Sequence, residues 1–527
     1  MRIIRKSVIA ALTLAAALTS CDFKDFGDIN ISPNAPGTPY TDLLFTNACY
    51  TTRGFICNTG YDRWIQAWPG YIAEAGNNQF GSLGTTYEFD TRGYYYGSMK
   101  ILNLIIELNS DEETKSGTNV LSFCTSNDNQ IAVALTLRAY IMMHLTDCVG
   151  PLPWSEAWKG ESDDIWFPAF DSQQEIYTAL FDDLEKAYGM FNESVSLSSA
   201  DVLYNGNIAR WKKLNATIRM DMALRMCDVD PATGKTRFAK AYADGGITTV
   251  ADQFVYKHDT NATPATFYSV GNLDYGSADH AWGPNKIIVD ALKEYNDPRI
   301  FAYFEIGKTA YLGARVDPDD KEYDVKIMEM DRYIGIQHGM SGNDEVTTQR
   351  DVACSVAQKY CQQTATYGLF TANRSLLNMA EAAQRGWISA DAASLYEQGI
   401  RASFEYEGAG NIEGAGVTVD DYVAAHPLPA DGNDAIKEIC MQRWLAGFMC
   451  DGLEAWSDWR RTNVPALELT DFQKLNYVGH STLPSRMIYS DTDKERNQEQ
   501  YDAAIAKYFG GSDDRWGRVW WDVNPNE

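Results

Sequence analysis

Between Gln130 and Thr146 the apolar residues Ile131, Leu135, Ala139, Met142 and Met143 recur at three- to four-residue steps, the spacing that lines one face of a helix. The same period returns from Gln174 to Tyr188, through Ile176, Tyr177, Leu180, Phe181 and Leu184, and again in Ile208, Trp211, Leu214, Ile218 and Met222. A C-terminal set runs through Leu376 to Ala383, then Leu395, Tyr396, Ile400 and Phe404, then Ile436, Cys440, Trp444, Phe448 and Leu453. The pattern predicts a mainly α chain. Beyond the N-terminal leader no apolar run is long enough to span a bilayer; Ile101-Leu102-Asn103-Leu104-Ile105-Ile106 is broken by a polar residue and suits a helix core.

Three stretches interrupt the helical period: Asn77 to Tyr96, Ala251 to Asn285 and Ile306 to Asp351, all rich in Gly, Asp, Asn and Tyr. They are too long to be mere connectors, and long structured loops tend to carry function. Segments 375–387 and 391–406, joined by Gly386-Trp387-Ile388-Ser389, are compatible with a tetratricopeptide-like helical hairpin, although no regular 34-residue repeat is present. Aromatic rings crowd the loops among amides and acids. Sugar C–H faces stack on such rings while Asn and Asp bind hydroxyls, and the same rings suit peptide side chains. Trp64 and Trp68 read as helical and packed, whereas Tyr87, Phe89, Tyr275 and Trp282 fall in irregular segments. These four are the candidate ligand-binding residues.

The N-terminus carries a second kind of signal. Arg2, Arg5 and Lys6 precede an apolar run from Ser7 to Leu18, which as a helix covers roughly 18 Å against a hydrocarbon core of about 30 Å. It is followed by Leu18-Thr19-Ser20-Cys21, the box of a lipoprotein signal, in which a small residue precedes the cysteine to be acylated. The expected organisation is a signal peptide over 1–20, a lipidated tether over 21–40 containing Asp28-Ile-Asn-Ile-Ser-Pro-Asn34, and one ligand-binding domain over 41–527. Acyl chains on Cys21 would hold the protein on a membrane where a single chain is marginal.

Charge removes one class of partner. With 72 Asp+Glu against 45 Lys+Arg and a net charge of −27, the surface repels phosphates, so nucleic acid is excluded. Of ten cysteines, nine remain if Cys21 is acylated, an odd number. Buried free thiols are expected for most, with a local Cys49–Cys57 bridge open as an alternative. Neither the cysteines nor the six histidines have metal-site spacing, and no metal or cofactor is expected. Asp228-Val-Asp230-Pro-Ala-Thr-Gly234 has half of a calcium loop but lacks the later acid, and reads as a helix-connecting turn.

Catalytic motifs are absent. Gly339-Met-Ser-Gly342 has the wrong spacing for a nucleophile elbow, and there is no phosphate loop or H-E-x-x-H. The acidic pairs Asp163-Asp164, Asp182-Asp183 and Asp420-Asp421 have the chemistry of glycoside hydrolysis, yet such pairs arise by chance among so many acids. The chain is read as a binding protein, not an enzyme, with a surface glycoside hydrolase as the weakest alternative.

Several segments, in order, resemble the SusD/RagB nutrient-binding outer-membrane lipoproteins of Bacteroidetes, in their SusD-like branch. Leu137-Arg-Ala-Tyr140 leads into Asp147-Cys-Val-Gly-Pro-Leu-Pro-Trp-Ser-Glu-Ala157; Trp211-Lys-Lys-Leu-Asn215, Asn296-Asp-Pro-Arg299 and Tyr333-Ile-Gly-Ile-Gln-His-Gly339 follow. The most specific are Gln442-Arg-Trp-Leu445, Glu454-Ala-Trp-Ser-Asp-Trp-Arg-Arg461, Pro484-Ser-Arg486 with Tyr489, and Trp520-Trp-Asp522. The resemblance implies a SusD-like fold in which tetratricopeptide-like hairpins form a scaffold and long loops build the ligand face. It also implies a lid on a SusC-type TonB-dependent outer-membrane transporter, lipid-anchored at the extracellular face and capturing oligosaccharides or, alternatively, oligopeptides. The acidic export signal of some such lipoproteins is only partial here, since Phe23 and Lys24 separate Asp22 from Asp25.

Overall fold

A computed structural model describes residues 37–57, 66–74, 88–257, 282–337 and 349–523, other than positions 90, 92, 309, 311–312, 350, 363, 451, 471–472, 475–476 and 478. The leader, Cys21 and most of the tether lie outside the described residues. The chain is mostly helical. Its longer helices are α1 Thr41–Cys57, α2 Lys100–Ser110, α3 Asn127–Val149, α4 Gln173–Met190, α5 Ile208–Arg225, α6 Pro231–Ala243 and α7 Lys286–Glu294. They continue as α8 Ala372–Gln384, α9 Ala392–Glu407, α10 Val419–Ala425, α11 Gly432–Ala446, α12 Gly452–Thr462 and α13 Gln498–Tyr508.

Polar residues at the starts explain where several of these helices begin. Ser126, Ser172, Asn207, Asp230 and Asp391 each accept a hydrogen bond from a first-turn backbone N–H, satisfying donors the helix leaves unpaired. At α4 the cap is reciprocal, Glu175 reaching back to the Ser172 N–H. Asp230 therefore opens α6, with Pro231 at its first position, which is the connecting turn expected from the sequence.

Consecutive helices pack against one another, α2 on α3, α3 on α4, α5 on α6 and α8 on α9. The period in α3 predicts a single apolar face, but nearly every side chain of this helix is buried. The reason is its position: α2, α4 and α5 and a π-helical turn at Tyr94–Met99 pack around it. By length and composition α3 is apolar enough to cross a bilayer, yet it lies in the core of the fold.

Three sequence expectations are corrected. The apolar series from Ile436 to Leu453 is not one helix: α11 stops at Ala446, Met449 has φ 57°, and α12 starts at Gly452. A non-glycine residue in the left-handed region breaks helical propagation. Trp68 lies in a turn rather than a helix; Trp64 is outside the described residues. Cys49 is a buried free thiol, so the local bridge is not formed. Cys49 and Cys57 both sit on α1, and eight residues of helix separate them by about 12 Å, beyond disulfide reach.

Among the described residues eight short strands form two-stranded sheets between remote segments. β1 Ile72–Glu74 pairs with β4 Trp282–Pro284, β2 Glu88–Phe89 with β8 Ile488–Tyr489, β3 Phe254–Lys257 with β7 Thr366–Phe370, and β5 Phe304–Glu305 with β6 Ser355–Val356.

Candidate ligand-binding face

β1 and β4 are antiparallel, with Ile72 opposite Pro284, Ala73 opposite Gly283 and Glu74 opposite Trp282. The stretch 75–87 therefore begins, and 258–281 ends, at adjoining positions on one end of this pair. Across β4, Ile336 bridges Asn285 in parallel. The Lys286 N–H donates to the Ile336 carbonyl at 2.8 Å, and the Ile336 N–H to the Pro284 carbonyl at 2.7 Å. The chain leaves this third strand-like segment at Gln337, where 338–348 begins. Residues flanking three stretches far apart in sequence are thus joined by backbone hydrogen bonds in one small sheet.

The approach of the third segment depends on glycine. A Cβ at Gly335 would lie 2.5 Å from Lys286 Cα and 2.6 Å from its backbone nitrogen, closer than packed atoms allow. Asn285 then converts the strand into a helix: it is buried, its N–H donates to the Tyr71 carbonyl at 2.9 Å, and its Oδ1 accepts the Ile287 N–H at 3.0 Å, capping α7. The sheet rests on aromatic packing. The rings of Tyr71 and Trp444 stack at 5.5 Å, the Tyr71 hydroxyl donates to the Trp444 carbonyl at 2.6 Å, and the Trp444 indole donates to the Pro69 carbonyl at 2.8 Å.

Beside the sheet lies an open cleft of about 310 Å³, lined by Asn285, Lys286, Asp290, Gln337, Glu468 and Thr470 among others. Lys286 and Asp290 form an ion pair one helical turn apart. The Gln337 N–H donates to Gln349 Oε1 at 2.8 Å. A wall of amide, hydroxyl, ammonium and carboxylate groups is suited to a ligand rich in hydroxyls.

The four sequence candidates fare differently. Trp282 is not in an irregular loop: it is the first residue of β4, 3% exposed and part of the core. Its pairing with Glu74 places it in the sheet rather than at a free loop position. Phe89 is in β2, its backbone paired in parallel with Tyr489. Tyr87 and Tyr275 lie outside the described residues. The polar wall of the cleft escapes a sequence reading altogether, because Asn285, Gln337 and Glu468 meet only through tertiary folding.

Potential acid–base groups are committed elsewhere. Asp183 pairs with Arg138 at 2.5 Å, Asp420 with Arg401 at 2.6 Å, and Asp421 closes a capping box with Thr418. One collection of carboxylates is internal. Asp221, Glu454 and Asp458 share Arg374, and Glu381 receives Arg385, Arg443 and Arg461. Burial raises the pKa of Glu454, whereas the guanidiniums outweigh desolvation and lower those of Glu381 and Asp458. Perturbed pKa values often mark active sites. Here they belong to an ion network enclosed among α5, α8, α11 and α12, its side chains at most 12% exposed but for Arg385.

The chain belongs to the SusD-like family: the family model described as starch-binding associating with outer membrane matches residues 32–490. Members of this family are binding proteins. Among solved structures it is similar to a chitin-binding protein, with 25% identity, a TM-score of 0.73 and coverage of 92% of this chain and 100% of that one. It is similar also to a chitin-binding SusD homologue from Flavobacterium johnsoniae (24% identity, TM-score 0.70, 92% and 100% coverage). A SusD homologue from Bacteroides fragilis matches at 21% identity with a TM-score of 0.71 over 92% of this chain and 99% of its own. No curated protein sequence matches this chain.

Proposed function

We propose that this chain is a lipid-anchored binding protein on the extracellular face of the outer membrane. In this reading it captures neutral oligosaccharides and passes them, unaltered, to a SusC-type TonB-dependent transporter. The observation that carries the proposal is the small sheet formed by β1, β4 and Ile336, which lies beside a polar cleft and joins the residues flanking 75–87, 258–281 and 338–348, the first two of these stretches rich in aromatic and amide residues. Membership of the SusD-like family and the likeness to a chitin-binding protein favour glycans over peptides. Cys21 supplies the anchor, residues 21–40 the tether and residues 41–527 the binding domain. Tyr87, Phe89 and Tyr275 stack on the ligand, and Trp282 steadies the base of the second stretch from within the core.

The test is a binding screen of the detergent-solubilised protein against soluble glycan and oligopeptide pools, repeated with Tyr87→Ala, Phe89→Ala and Tyr275→Ala. Glycan binding weakened in these variants is expected. Binding confined to peptides would assign the same lid to oligopeptides, and normal glycan affinity in all three variants would remove these rings from the site.

A further inference from the structure

A second cavity, of about 420 Å³, opens between α2, the segment 152–170 and the region of β8 that runs into residues 491–497. It shares no lining residue with the cleft beside β4. Its volume falls in the range of small-molecule sites.

The floor is aromatic, and the polar atoms of its rings are already satisfied by the protein. The Tyr95 hydroxyl donates to the Pro153 carbonyl at 2.8 Å, the Trp158 indole to the Tyr95 carbonyl at 2.9 Å, and the Trp166 indole to Asp164 Oδ1 at 2.7 Å. These bonds fix the rings and leave their carbon surfaces for a ligand. Phe170 and Tyr489 meet edge to face at 5.6 Å and close the floor.

Trp166 is 63% exposed, an unusual position for a large indole unless something covers it. It lies against a glycine: a Cβ at Gly160 would sit 3.0 Å from two ring carbons. The chain leading into it passes through two left-handed residues, Trp158 at φ 63° and Asp164 at φ 59°. Bulky residues rarely adopt that conformation, and backbone strain of this kind gathers at ligand sites.

The rim is polar and carries charges of both signs, among them Asp493, whose Oδ2 accepts from the Thr91 and Ser490 hydroxyls. Lys100 and Arg496 stand against Glu107 and Glu161, all four exposed and none in an ion pair among the described residues. Asn103 accepts a hydrogen bond from Arg138 through its Oδ1, while its Nδ2 has no partner among the described residues. A carbon-faced floor under mixed donors and acceptors matches a sugar ring, which has C–H faces and a circumference of hydroxyls.

We propose that this cavity is a second saccharide-binding site, with the Trp166 indole as its stacking platform, Trp158 and Phe170 as its inner wall, and Asn103 and the rim charges as hydroxyl partners. Its ligand class is a neutral oligosaccharide, and in this it rests on the glycan reading above. Two sites on one molecule would engage one long chain at two points and raise its retention without any tighter single contact.

The test uses full-length protein in detergent, titrated calorimetrically with chitohexaose, maltoheptaose and cellohexaose. Trp166→Ala should weaken binding of the best of these at least tenfold or remove one binding event per protein, with an unchanged melting temperature, because the side chain is exposed. Trp166→Phe should recover most of the affinity, and Gly160→Val, which displaces the ring without deleting it, should reproduce part of the loss. Oligosaccharide binding with the same affinity and stoichiometry in Trp166→Ala would overturn this second site while leaving the glycan reading intact. Failure of the wild type to bind any of the three would contradict the glycan reading itself. Trp166-dependent binding of an oligopeptide pool in place of the sugars would make the cavity a peptide site and overturn the saccharide assignment.

Discussion

Asp522 and Glu381 are both buried carboxylates, and their surroundings pull them in opposite directions. Around Asp522 desolvation outweighs Arg460 and Arg518, and its pKa is pushed up to about 6. The folded state then holds a proton between about pH 4 and 6 that the unfolded chain has lost, so stability falls as pH rises through this window, by about 3 kcal/mol in all. Asp522→Asn should therefore stabilise the protein at pH 7.5 and leave it nearly unchanged at pH 4; denaturant melts at the two pH values check this, and an equal effect at both would contradict it. Around Glu381 three guanidiniums win, and its pKa lies well below the usual carboxylate range. That contribution is present at neutral pH and is lost as pH falls below about 4. Glu381→Gln removes the carboxylate shared by Arg385, Arg443 and Arg461 and leaves the last two with Asp458, and should cost about 3–5 kcal/mol at pH 7. A urea midpoint within experimental error of wild type would show that these charges are solvated after all. Arg443 and Arg461 are plain in the sequence, but their shared partner is not, because Glu381 lies some sixty to eighty residues away.

Among elements, the helices were the legible part. Three- to four-residue apolar spacing located α3, α4, α5, α8 and α9 within a few residues, because a helix declares its buried face locally. The break between α11 and α12 was not legible, since Phe448 and Leu453 keep the apolar rhythm through a turn that only the backbone at Met449 reveals. Nor was the sheet that gathers the loops: β1 and β4 have three residues each, too few for an alternation to register, and their pairing spans some two hundred positions. The segment at Ile336 offers a direct test of that sheet. Gly335→Ala places a methyl group into the Lys286 backbone, so it should cost about 1–3 kcal/mol and expose Ile336 to faster amide exchange. Unchanged exchange at Ile336 would show that the contact has room to spare.

For the whole molecule, the segments resembling SusD-like proteins were readable in their order, and the family model confirms the membership over residues 32–490. The ligand face was readable only as composition. Aromatic-rich stretches suggested where a ligand would bind, but Trp282 belongs to the core and the cleft residues came from elements that sequence does not bring together. Anchoring has its own test. Cys21→Ala should abolish incorporation of a fatty-acid probe and leave the protein out of the outer-membrane fraction; a labelled Cys21→Ala protein would contradict the lipoprotein reading. The central claim, capture of a glycan without chemistry, is tested most directly by calorimetric titration of the wild-type protein with chitohexaose, followed by mass spectrometry of the recovered sugar. The account predicts a dissociation constant between micromolar and millimolar, about 4–8 kcal/mol of binding free energy, and a hexasaccharide returned intact; absence of binding, or recovery of shorter sugars formed only in the presence of the protein, would contradict it.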